Sequence, residues 1–166
     1  FRGEIITDHG NIYVGGVIYS VDFVHQVDGF NRTWKNEQES NGVVFSFNSE
    51  LSSLRWSHII GSDNPYFDAI YGIALGDSGD LFATGGTHSG FYPGDYGGNW
   101  INNKIGDVDG ILLKLNSSTG EFLAGRYYGT TSYEQSYFVQ TDNSGRPYIF
   151  GQTEGQLPKI GAKYYD

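Results

Sequence analysis

The chain has 166 residues and no Cys, so one domain or part of a larger one is expected, without disulfides or thiolate metal ligands. A net charge of −9 repels phosphate backbones and argues against nucleic acid as a partner. No apolar stretch is long enough to span a bilayer, and 25 Gly, 13 Tyr and 11 Phe among few charges favour short strands and tight turns over helices.

Taken in chain order, the sequence writes one pattern three times. Residues 9 to 24, HGNIYVGGVIYSVDFV, carry a turn at Gly10 and an apolar run that reaches Gly16. Residues 41 to 61, NGVVFSFNSELSSLRWSHIIG, read strand, polar turn, strand. Residues 68 to 79, DAIYGIALGDSG, read as a strand ending in a tight turn. Residues 78 to 94, SGDLFATGGTHSGFYPG, repeat the first run with Gly79 and Gly85. Residues 109 to 129, DGILLKLNSSTGEFLAGRYYG, repeat strand, turn, strand. Asn116 follows Asn48, and Gly129 follows Gly61, at one and the same offset. EQSYFVQTDNSG, residues 134 to 145, and SGRPYIFGQTEGQLPK, residues 144 to 159, open a third copy on Gly145 and Gly151. The turn glycines Gly10, Gly79 and Gly145 stand at nearly equal intervals.

One unit thus holds four short strands, expected in the second copy near 70–76, 80–87, 110–116 and 121–128. Four-stranded units at a fixed period are the signature of β-propeller blades. A lone four-stranded sheet cannot cover its own two apolar faces; stacked blades cover each other's. GIALGDSGDLFATGGTHS, DGILLKLNSSTGEFL and the closing YYG or IIG resemble the bacterial seven-bladed β-propeller repeat family of large secreted and cell-surface proteins. Asp109 to Leu115 fits that family's Asp-x-φ-φ-x-Lys-φ strand, where φ is apolar; residues 41 to 47 depart from it with Asn41 and Ser46. The expected fold class is all-β: a propeller segment of antiparallel four-stranded blades, about two to three of them, in an incomplete ring. The expected boundaries are 1–61 for a first blade with a truncated first strand, 62–129 for a complete second blade, and 130–166 for two strands of a third. The opening on Phe1 and the lack of Met suggest a piece of a longer polypeptide. The remaining blades, or other copies of the chain, are then expected to cover the bare end faces.

The connections are unequal. Turns between the first and second strands are tight, as in GDSGD and DNSGR, and so are those between the third and fourth. Residues 20–40 and 89–108, between second and third strands, are long enough to suggest function. In an up-and-down sheet these long loops emerge at the same end as the links between blades. They bring Phe23, Phe30, Trp34, Phe91, Tyr92, Tyr96 and Trp100, and the inter-blade links add Tyr66, Phe67 and Tyr133. Rings beside Asn, Asp and Gly suit a glycan or surface polymer, stacking on apolar CH faces while polar neighbours take hydrogen bonds. We single out Phe30, Trp34, Tyr66, Phe91, Tyr92, Tyr96, Trp100 and Tyr133 as the expected binding face. The bland reading is that each ring only pins its loop to a blade rim.

Asp107 and Asp109, in GDVDG, are candidate calcium ligands, although Ser118 stands where a calcium loop of the EF-hand type needs Glu; Asp109 also fits a plain strand start. Asp63, Asn64 and Asp68 form a similar cluster. Asp8, Asp77 and Asp142 recur before the turn glycines and read as caps of their own turns. No cofactor is otherwise expected. Asp63, Asp95, Asp107 and Glu134 could line the long-loop end, but their spacing selects no catalytic pair. His9, His25, His58 and His88 lack metal-ligand spacing, and no nucleophile elbow or phosphate loop occurs. Asn31 and Asn116 begin N-x-[ST] triplets, which matter only in a eukaryotic source. The expectation is an extracellular or cell-surface binding module. A purely structural blade set and a polysaccharide-acting enzyme completed by other blades are the alternatives.

Overall fold

The computed structural model describes residues 3–19, 40–61, 67–90 and 102–157. Every regular element among them is a strand. The first sheet contains β1 (Gly3–Asp8), β2 (Asn11–Ile18), β3 (Asn41–Asn48) and β4 (Leu54–Ile60). The second contains β5 (Asp68–Leu75), β6 (Asp80–Thr87), β7 (Asp109–Asn116) and β8 (Phe122–Tyr128). β9 (Glu134–Thr141) and β10 (Pro147–Thr153) pair as a third. Within each sheet, strands neighbour in chain order and all pairs are antiparallel. The architecture is an open propeller segment: two four-stranded sheets and the first two strands of a third. No helix among the described residues is long and apolar enough to cross a membrane.

The repeated turns have a local cause. Gly10, Gly79 and Gly145 sit at φ of 80°, 75° and 68°, which side-chain-bearing residues rarely adopt. The third-to-fourth-strand turns are held by Asn48 and Asn116. The Oδ1 of Asn48 accepts the Ser52 and Ser53 N–H, and that of Asn116 the Ser118 and Thr119 N–H. The Asn116 side chain is therefore committed to its turn. Asp142 caps its turn by accepting the Ser144 and Arg146 N–H. Asp8 instead pairs with the His9 ring at 2.6 Å.

The sheets stack because the inner strands β5 and β9 each pack on the sheet before them. A Cβ placed on Gly15 would lie 2.6 Å from Ile73 Cγ2, and one on Gly42 would lie 2.9 Å from Ile70 Cγ1. Two glycines of the first sheet thus leave the room that Ile70 and Ile73 of β5 fill. Both isoleucines are buried, in a core shared with Tyr13, Val44, Trp56, Leu81, Ile111, Leu113 and Leu115. Burying each large apolar side chain is worth about 1.5–3 kcal/mol, enough to make the sheets depend on one another. Polar atoms on neighbouring inner strands are matched as well. Glu4 Oε2 accepts the Ile73 N–H at 2.9 Å, and the Thr141 hydroxyl donates to the Leu75 carbonyl at 2.8 Å.

Outside the inner strands, Trp56 ties the first two sheets together. It is 2% exposed, its Nε1 donates to the Ser117 carbonyl at 3.0 Å, and its indole packs on Gly120. His58 Nε2 meets the Gly120 carbonyl at 2.5 Å, and Arg55 Nη2 donates to the Ser118 carbonyl.

The Ser46 departure also has a physical account. In the second sheet Lys114 bridges to Asp80 at 2.9 Å and stands 5.8 Å above the Phe82 ring. In the first, Ser46 accepts a 2.8 Å bond from Arg55, whose guanidinium lies 5.9 Å from the Tyr13 ring. A cation covers the same aromatic position in both sheets but arrives from different strands.

Candidate functional site

The candidate site lies at the end where β2 and β6 finish and where β3, β5, β7 and β9 begin. An acidic residue opens each of the two later inner strands and fastens that end. Asp68 is 1% exposed: its Oδ1 accepts the Thr87 hydroxyl at 2.5 Å and the Ser89 N–H, and its Oδ2 accepts the Ser89 hydroxyl at 2.7 Å. Glu134 is 3% exposed and accepts the Thr130 N–H, the Thr130 hydroxyl and the Thr153 hydroxyl, each at 2.8 Å. Burial pushes the Glu134 carboxyl up, but the bonds from Thr130, Thr153 and the Gly155 N–H outweigh it and hold the group below the usual carboxylate range. Thr87 and Thr153 play one role in two sheets, since their hydroxyl oxygens also accept the Ser89 and Gly155 N–H.

Between these anchors lies a cleft of about 560 Å³, lined by Val17, Tyr19, Ser40, Phe67, Ala69, Tyr71 and Gln135. Its walls come from three sheets: Val17 from β2, Tyr71 from β5 and Gln135 from β9. Tyr19 and Phe67 are 58% and 57% exposed. The wall is mixed, with rings beside a hydroxyl and a primary amide, as small-ligand sites commonly are.

A repeated backbone irregularity puts Tyr71 there. The β5–β6 register shifts between Ile70 and Gly72, leaving Tyr71 as the extra residue of a bulge. The β9–β10 register shifts on β10 between Phe150 and Gly151, and Tyr137 is skipped in the same way. Bulges re-aim side chains. The two rings stack, tilted, with centroids 5.5 Å apart. Gln135 joins them: its Nε2 donates to the Tyr71 hydroxyl at 3.4 Å and its Oε1 accepts from the Tyr137 hydroxyl at 3.0 Å. Tyr133 stands beside them, and burial, then the neighbouring Tyr71, Tyr137 and Glu154, raise its phenol pKa.

Of the residues expected at this face, Tyr133 is described and half-buried. Phe30, Trp34, Tyr66, Phe91, Tyr92, Tyr96 and Trp100 lie outside the described residues, as do Phe23, Asp63, Asn64 and Asp95. Phe67 lines the cleft. Tyr19, Tyr71 and Gln135 are cleft residues that sequence reasoning missed. The available signal was the pair Tyr71 and Tyr137, which share the spacing that separates Gly79 from Gly145, the turn glycines of their sheets.

Asp107 and Asp109 have different surroundings. Asp109 is fully buried, and its Oδ1 and Oδ2 accept the Gly106 and Ile105 N–H at 2.9 and 2.7 Å. The Asp107 side chain is 80% exposed and lies 3.7 Å from His88 Nε2. The Lys104 ammonium donates to the Gly106 and Asp107 carbonyls, so a cation is already seated in this loop. No group of three or more His, Cys, Asp or Glu that could hold a metal ion occurs among the described residues.

Neither a protein-family model nor a curated protein sequence matches this chain.

Proposed function

We propose that the chain is a recognition module, secreted or displayed at a cell surface, whose aromatic cleft binds a glycan or surface polymer. The observation that carries this reading is the cleft itself: the exposed rings of Tyr19 and Phe67 line it together with Tyr71, Ser40 and Gln135. Flat rings take the CH faces of a sugar, and the serine hydroxyl and glutamine amide take its hydroxyls. The net charge of −9 favours a neutral or cationic polymer over an anionic one. The sequence resemblance to secreted and cell-surface propeller repeats supports the location.

A binding role needs no catalytic pair. The buried acids near the cleft, Asp68 and Glu134, spend their oxygens on serine and threonine donors that hold loops in place. The test is a panel of neutral, cationic and anionic polysaccharides measured by affinity electrophoresis, with Tyr19→Ala and Phe67→Ala as variants. Both rings are more than half exposed, so folding tolerates their loss. Retardation of the parent by a neutral or cationic polymer, weakened about tenfold or more in either variant, supports the reading. Equal retardation of parent and both variants, or none by any polymer, contradicts it.

A further inference from the structure

The wall of the cleft carries no charge. Every side chain that lines it among the described residues is neutral, in a chain with 19 Asp and Glu and 10 Lys and Arg. Asp68 and Glu134, the buried acids next to Phe67, Ala69 and Gln135 in sequence, spend their oxygens on hydroxyl and N–H donors. A charged ligand group set against such a wall would lose water and gain no counter-charge. The cleft therefore suits a neutral ligand, and its own donors and acceptors specify that ligand further.

The Gln135 carboxamide is held at both ends. Its Oε1 accepts the Tyr137 hydroxyl at 3.0 Å, and its Nε2 donates to the Tyr71 hydroxyl at 3.4 Å. A primary amide has two N–H donors, and the second one of Gln135 has no acceptor among the described residues. Ser40 is the converse case. It is 3% exposed, and its hydroxyl proton goes to the Asp68 carbonyl at 3.2 Å, so toward a ligand its oxygen can only accept. The cleft thus offers one oriented donor and one oriented acceptor.

The rest of the wall near Gln135 is small and apolar. Ala69 faces Gly86 across the β5–β6 pair, and a Cβ on Gly86 would lie 2.8 Å from Gln135 Cγ. Glycine at that position leaves the room that Gln135 occupies. The Ala69 methyl and Val17 supply an apolar surface in the same cleft.

We infer, resting on the reading of the cleft as a glycan site, that it selects a sugar bearing an acetamido group, an N-acetylhexosamine, and that Gln135 determines this specificity. The acetamido carbonyl accepts the second Gln135 N–H, the acetamido N–H donates to Ser40 Oγ, and the methyl lies on Ala69 and Val17. The sugar ring then stacks on the exposed Tyr19 or Phe67. A plain hexose leaves the apolar surface unfilled. An amino sugar brings an ammonium to a wall without a carboxylate.

The test uses β-1,4-linked tetrasaccharides of N-acetylglucosamine, glucose and glucosamine, which differ only at the second carbon of each ring. Binding to the full chain is measured by titration calorimetry, with glucosamine in its ammonium form. The acetylated tetramer is expected to bind about tenfold or more tightly than the glucose tetramer, because a site built to hydrogen-bond a group rejects the analogue that lacks it. Gln135→Leu should remove that preference. Gln135→Glu keeps an acceptor for Tyr137 but replaces the donor with a carboxylate, and should move the preference to the glucosamine tetramer. Thermal unfolding checks that both variants are folded, and the ranking of the sugars by the parent needs no variant. Equal affinity of the parent for the glucose and acetylated tetramers overturns the inference and leaves the glycan reading standing. So does an acetyl preference that both folded variants retain. Failure of every tetramer to bind overturns it too; retardation of the parent by another neutral polymer, weakened in Tyr19→Ala or Phe67→Ala, then shows that the glycan reading survives without it.

Discussion

The ring centroids of Tyr71 and Tyr137 lie 5.5 Å apart, although a full repeat of sequence separates the two residues. Each is the residue that a bulge skips in the inner strand of its sheet. The repeat therefore places a tyrosine in each of the two later sheets at the same end of the stack, where the two rings meet. A double-mutant cycle with Tyr71→Leu and Tyr137→Leu, read by urea unfolding, is expected to give a coupling of about 0.5–1.5 kcal/mol. Additive effects would show that the rings are neighbours without mutual stabilisation.

Trp56 is expected to be the most sensitive single position between the first two sheets. Trp56→Ala removes a buried indole and the bond to Ser117 and should cost about 3–5 kcal/mol. Trp56→Phe keeps most of the packing but strands the Ser117 carbonyl, at about 1–3 kcal/mol. Thermal unfolding of the two variants checks the order.

The Glu134 carboxylate is expected to fasten the start of β9. Glu134→Ala leaves the Thr130 N–H and the Thr130 and Thr153 hydroxyls without their acceptor, at a cost of about 3 kcal/mol. Glu134→Gln, which retains one oxygen, should cost less. Since the native pKa lies below the unfolded value, this contribution is present above the ordinary carboxylate range and fades as pH falls through the native value. Acid unfolding monitored by circular dichroism should show the parent losing this advantage over Glu134→Gln below about pH 4.

His58 gives stability a second pH dependence. Its burial lowers the pKa, and the bond to the Gly120 carbonyl offsets this only in part. The unfolded chain then takes up the proton first as pH falls, so this contribution is full above about pH 6.5 and declines below it. His9 acts in the opposite sense: the hydrogen bond to Asp8 raises its pKa, favouring the fold at low pH and losing that effect as pH rises. His9 is exposed, so solvent screens its part. Denaturation midpoints should fall in the parent between about pH 7.5 and about pH 5.5, and fall less in His58→Gln. Equal slopes would show that His58 titrates as it does in the unfolded chain.

The architecture was legible because its determinants are local and repeated. A turn at positive φ needs glycine, so Gly10, Gly79 and Gly145 mark each first turn. Asn48 and Asn116 mark each outer turn because their side chains cap it. The strands lie close to the spacing read from sequence; β5 begins earlier, at Asp68, because that residue is fixed both by its carboxylate and by the Ser40 carbonyl that accepts its N–H. The site was less legible. Tyr71 reads as an ordinary strand residue, and only a register shift turns it toward the cleft. Asp109 has a calcium-like spacing from Asp107, but its burial and its two backbone donors depend on how the 105–109 segment folds back. Tyr19 joins the cleft through its place at the end of β2 beside Phe67 and Ser40, a contact between segments that no local pattern encodes.

The most direct test of the account is NMR chemical-shift mapping of the labelled chain titrated with a neutral polysaccharide fragment that retards it. The largest shifts are expected at Tyr19, Phe67, Tyr71 and Gln135, with small changes at the opposite-end turns around Ser49, Gly79 and Gly145. Shifts centred on those turns, or on the exposed Tyr148 and Phe150 face, would contradict it.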